Sequence, residues 1–157
     1  MARDYILRMV EQIAAMLASI IAKKQAGQIA EAGVELENTC LQTIGLNLAD
    51  LKRLSPESVA GLLNNAGALR PVRAVMLAEL LLADAELHEA HPNVVPPVEF
   101  NYVHAFCLLA DAIGALTTEE QAFYRVKLDM LAERLGDLKE HPYIKERLRD
   151  YGTAKNA

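Results

Sequence analysis

Asp84, His88 and His91 fall at i, i+4 and i+7, a spacing that sets one carboxylate and two imidazoles on one face of a helix. Such a set can hold a divalent transition metal, because imidazole nitrogen and carboxylate oxygen are zinc-type ligands. His104, Cys107 and Asp111 repeat the theme at i, i+3 and i+7. If the chain doubles back through the stretch from Pro92 to Pro97, Asn101 and His104 come alongside the first set. The plainer reading has His88 and His91 closing a helix C-terminus, where imidazoles favour the dipole and cap carbonyls. His104 and Asp111 then mark a solvated stripe. No cofactor is expected on that reading; a transition metal at Asp84, His88, His91 and His104 is the alternative.

Three further groups carry chemistry. Tyr102, Phe106, Phe123 and Tyr124 can line an apolar ligand pocket between the last two long helices, although aromatic core packing accounts for them equally simply. Asp4, Arg8 and Glu11, at i, i+4 and i+7, form a charged ladder that reads either as a cap with surface ion pairs or as a docking surface for a partner. Arg70 and Arg73 could bind an anion or pair with the Asp84 stripe. Catalytic signatures are missing: there is no Gly-rich phosphate loop, GxSxG, HExxH, CxxC, EF-hand loop or Glu-x-x-His. The chain therefore leans away from an enzyme.

The element that must position these residues is PVRAVMLAELLLADAEL, Pro71 to Leu87. Proline suits a first helical turn, where its missing N–H has no partner anyway. A helical wheel leaves two narrow polar stripes, one with Arg73, Asp84 and His88, the other with Glu79 and Glu86. Everything between is Val, Leu, Met or Ala, so this helix must pack on both sides.

The other elements follow the same period. Ile6, Met9, Val10, Ile13, Met16, Leu17, Ile20 and Ile21 predict an amphipathic helix from about 4 to 24. Gly27 breaks it, and a second helix follows to Ile44 with Ile29, Leu36, Cys40 and Ile44 on one face. Gly45 and Asn47 end it, and 48–54 is a short connector. Ser55-Pro56-Glu57 starts a short helix, with Val59, Leu62 and Leu63 inward. The link from Pro92 to Pro97 precedes a very apolar helix over about 98–116. Thr117 or Thr118 caps the next, with Glu119 and Glu120 in its first turn and Phe123, Val126, Leu128, Leu131 and Leu135 packing. A last short helix follows Pro142. No stretch alternates with the period of a strand.

The totals narrow the function. The chain has 157 residues, enough for one domain, here read as 1–151 with a frayed tail at 152–157. Its net charge of −5 argues against nucleic-acid binding, which needs a basic footprint. Two distant cysteines, Cys40 and Cys107, argue against a disulfide framework and for a reducing cytoplasm. No run reaches the roughly 18 apolar residues of a membrane span, and Lys23 and Lys24 directly after 13–22 argue against a signal peptide.

Two resemblances add to this. Gly27-Gln28-Ile29-Ala30-Glu31-Ala32 resembles the turn of a tetratricopeptide hairpin, where glycine permits the sharp turn and alanine the close approach. No second copy follows at the 34-residue period of such repeats. Asp4-Tyr5-Ile6-Leu7-Arg8-Met9-Val10-Glu11-Gln12-Ile13, with Leu54-Ser55-Pro56-Glu57 to Leu62-Leu63, is similar to an uncharacterised bacterial family of small all-helical proteins. That resemblance implies a bacterial origin and a helical fold, and carries no activity. The expectation is an all-α domain of six or seven helices, packed as antiparallel hairpins in a tetratricopeptide-like right-handed array or bundle. The expected function is protein–protein interaction or scaffolding in the bacterial cytoplasm, with another protein or a second copy as partner. The alternative is a metal- or small-ligand-binding bundle using Asp84, His88, His91 and His104.

Overall fold

The computed structural model describes residues 2–63, 67, 69–89, 98–138, 145–146 and 148–152. The main elements are seven α-helices: α1 (Ala2–Gln25), α2 (Ile29–Ile44), α3 (Leu48–Lys52), α4 (Pro56–Leu62), α5 (Arg70–His88), α6 (Val98–Ala112) and α7 (Thr118–Arg134). Residues 148–152 are also helical, and no strand occurs among the described residues. The protein is all-α.

α1 and α2 form the first hairpin. Gly27 turns it with φ of +80°, a left-handed conformation that costs a glycine nothing. Gln28 N–H donates to Lys23 O at 2.8 Å and Gly27 N–H to Lys24 O at 3.1 Å, the paired closure of a Schellman motif. Ala32 is fully buried just beyond the turn, as close approach of two helices requires. Ser19 Oγ and Lys23 Nζ both donate to Glu35 Oε2, which locks the antiparallel register. Ile13, Ile20, Leu36, Cys40 and Ile44 carry the hairpin's apolar face into the core.

Asn47 proves to be a start signal rather than a stop. Its Oδ1 accepts from Ala49 N–H at 2.9 Å and caps α3, so the connector contains a true helical turn. Ser55 Oγ accepts from Ser58 N–H at 3.1 Å and caps α4, with Pro56 in the first turn. Val59 and Leu63 are buried, whereas Leu62 is exposed.

α5 is the centre, packed against α1, α2 and α6. α6 returns antiparallel to it: Tyr102 meets Glu89 at one end, and Leu108 and Asp111 lie by Arg70 and Ala74 at the other. Every residue of α6 from Asn101 to Leu109 is buried, because α3, α4, α5 and α7 all pack on it. A 3-10 turn, Ile113–Ala115, leads to α7. There Thr117 accepts from Glu120 N–H and donates to Glu120 Oε1 at 2.6 Å, a variant of the capping box. α7 runs parallel to α5, pairing Lys127 with Glu79 and Arg134 with Glu89. Tyr124, Leu128, Leu131 and Leu135 face the core, but Phe123 and Val126 do not; they are 58% and 61% exposed. The helical period sets those two on α7's outer shoulder, which no described element covers.

None of the described helices is long and apolar enough to cross a membrane.

Candidate functional site

Two places collect the residues with chemistry. The first is interior. Asp84 on α5 is buried, and its Oδ2 accepts from Lys52 Nζ of α3 and from Asn101 Nδ2 of α6, each at 2.8 Å. Asn101 Nδ2 also donates to Leu81 O at 2.8 Å, so one amide joins α6 to both backbone and side chain of α5. His88 Nε2 stands 3.3 Å from Asp84 Oδ1. An ammonium and an amide therefore saturate Oδ2, while Oδ1 faces His88. A buried carboxylate is stable only with such partners.

His104 is buried against the backbone of Lys52 and Leu54, and neither ring nitrogen completes a hydrogen bond. Burial holds its pKa below the ordinary imidazole value, the nearby backbone opposing only in part. Asp111 is exposed and Cys107 buried, so the spacing of His104, Cys107 and Asp111 does not give one shared surface. His91 lies outside the described residues. Among the described residues, no three His, Cys, Asp or Glu groups converge as ligands for a metal ion.

Cys40 belongs to the same interior region. Its thiol donates to Leu46 O at 3.4 Å. Burial first, then the charges of Glu37 and Asp84, push the thiol up to about 12, which removes it as a nucleophile at neutral pH.

Lys52 is the member of this cluster that sequence reasoning missed. The available signal was its register, since Lys52 falls on the face of the short helix that buries Leu48 and Leu51.

The second place is a groove of about 810 Å³ between α1, α5 and α7. Ile13, Ala14 and Leu17 form one wall, and Val72, Val75 and Met76 the floor. Phe123 and Tyr124 form the other wall, their rings edge to face with centroids 5.0 Å apart. Thr117, Glu119 and Glu120 stand at the mouth, where the cap of α7 begins. Lys127 Nζ lies 5.0 Å from the Phe123 ring centre and 5.6 Å from that of Tyr124, and it pairs with Glu79. Burial and the adjacent Glu79 carboxylate keep the Tyr124 phenol protonated well above its ordinary value.

The four aromatics named from the sequence thus divide. Phe123 and Tyr124 line the groove. Phe106 is fully buried and meets the Tyr151 ring edge-on at 5.8 Å. Tyr102 donates to Glu89 Oε1 at 2.6 Å under the Arg134 guanidinium, 4.1 Å from its ring centre. Burial and the bond to Glu89 push the Tyr102 phenol up to about 12. Of the charged ladder on α1, Glu11 is exposed, and the side chains of Asp4 and Arg8 lie outside the described set. The groove can bury apolar surface and the interior cluster can hold helices together; the hydroxyl–carboxylate pair in the groove lining, Thr117 with Glu120, is the N-terminal cap of α7. No family model, curated protein or solved structure matches the chain.

Proposed function

We propose that the protein is a non-enzymatic interaction module whose groove between α1, α5 and α7 receives an apolar helical face of a partner protein. One observation carries this: Phe123 keeps more than half of its surface in water at the edge of a groove whose floor is Val72, Val75 and Met76. Met130, 65% exposed, and Val126 extend the apolar shoulder along the same helix. An open apolar groove between helices is a form that receives amphipathic helices through anchors at i, i+3, i+4 and i+7. Cys40 and Cys107, both buried and neither in a disulfide, fit a reducing compartment such as the cytoplasm.

A photo-crosslinking residue placed at position 123 or 130, in cells that make the protein, tests this. Position 123 should capture a defined partner or a second copy, while a control at the exposed Val34 on α2 should not. The same products from position 123 and from the control at position 34, or none from 123, would defeat the reading.

A second reading, ligand binding at Asp84, His88, His91 and His104, has one observation in its favour, the approach of His88 Nε2 to Asp84 Oδ1. Elemental analysis of protein purified without chelator decides it. Stoichiometric metal that is lost in His88→Ala would support it, and metal-free protein would end it.

A further inference from the structure

We infer that the helix received by the groove is basic: it lays apolar side chains on Phe123 and sets lysine or arginine against Glu119 and Glu120. This rests on the groove reading above and adds the partner's charge. The groove lining is acidic on balance, with Glu79, Glu119 and Glu120 against Lys127. Lys127 is already engaged by Glu79 and by two aromatic rings, so it offers nothing to an acidic partner. Glu119 is exposed, and among the described residues neither it nor Glu120 pairs with a cation. The dipole of α7 and the Thr117 cap take up part of their charge, and the remainder faces the groove mouth. The whole chain adds to this field with its net −5. An acidic pair without a cation beside an apolar floor favours partners of the opposite sign and speeds their approach. The floor, in turn, rejects a purely polar basic tail, so the partner must be amphipathic.

The test uses the full chain and two labelled synthetic helices, each with leucine at i, i+3, i+4 and i+7. One carries lysine at its polar positions and the other glutamate. By fluorescence anisotropy, the Leu/Lys helix should bind about tenfold or more tighter than the Leu/Glu helix, and more weakly as salt rises. Phe123→Asp should weaken the Leu/Lys helix by about tenfold even though it makes the face more acidic. Glu119→Lys should weaken the Leu/Lys helix alone. Phe123→Ala replaces the aspartate variant should the latter lower Tm. Equal or tighter binding of Leu/Lys to Phe123→Asp would mean diffuse attraction and overturn the inference. Equal binding of both helices, lost together in Phe123→Asp, would keep the groove and overturn its charge preference. No binding of either helix would overturn both. A dimer by light scattering that Phe123→Asp converts to monomer would make a second copy the occupant and overturn the basic partner.

Discussion

Lys52 and Asp84 are 32 residues apart in the chain and meet at 2.8 Å in the interior, with side chains only 8% and 7% exposed. Their bond ties the one-turn helix α3 to the central helix α5, and Asn101 brings in α6 at the same oxygen. Breaking such a pair leaves a buried charge without its counterion, whereas replacing both members leaves none. Lys52→Met is therefore expected to cost about 3–5 kcal/mol, and Lys52→Met with Asp84→Leu to recover most of it. Urea unfolding of both single variants and the double closes the cycle. A Lys52→Met loss under about 1 kcal/mol would mean the pair behaves as an exposed one in solution.

His104 contributes to the acid limb of stability. Its pKa is lowered in the fold, so the folded chain refuses a proton that the unfolded chain accepts. Its contribution is complete above the unfolded value of 6.5 and is lost as pH falls from there through the folded value. In that window the slope attributable to this one group approaches about 1.4 kcal/mol per pH unit. His104→Leu removes the titrating group together with two unpartnered nitrogens, and should flatten the dependence of the urea midpoint as pH falls below the unfolded value of 6.5. An unchanged slope in this variant would place the acid sensitivity elsewhere.

The cysteines should be silent in the native state. Cys40 and Cys107 are both buried, and the Cys40 thiol is pushed up to about 12. Reaction with a thiol reagent at mild alkaline pH should be slower by about a hundredfold or more than in urea, because access and ionisation are both withheld. Rapid labelling of Cys40 in folded protein would contradict its burial beside Asp84.

Two glycines should respond oppositely to alanine. Gly27 has φ of +80°, so Gly27→Ala is strained and should cost about 1–2 kcal/mol. Gly33 lies inside α2 with open space around it, and Gly33→Ala should stabilise by about 0.5–1 kcal/mol. Thermal unfolding of the two variants gives the signs directly. Equal shifts of one sign would show that the α1–α2 turn is not closed as described.

The helices were legible because their boundaries are written locally. Pro71, Ser55-Pro56 and Thr117 start helices, and Gly27 and Gly45 stop them, each through contacts within a few residues. The approach of Asn101 to the Asp84 face was legible in the periodicity of two consecutive helices, but its hydrogen bond to Asp84 was not. Lys52 was hidden because its partner is on another element, and its register beside Leu48 and Leu51 does not by itself separate a buried lysine from one that reaches out to water. The outward turn of Phe123 and Val126 was hidden for a related reason: periodicity shows an apolar residue, but only packing shows whether α7 has a neighbour on that side. Tyr102 and Phe106 were separated from Phe123 and Tyr124 by the same missing information.

The uninterrupted burial of Asn101 to Leu109 also bears on how the chain is made. Synthesis proceeds from the N-terminus, so α6 leaves the ribosome before α7 exists to cover it. Until α7 arrives, one side of an almost wholly apolar segment is bare to the cell, and the nascent chain must be shielded there or wait unfolded. Slow codons or a bound chaperone would matter most at that interval, and a charge introduced anywhere in those nine positions would be felt first as lost yield.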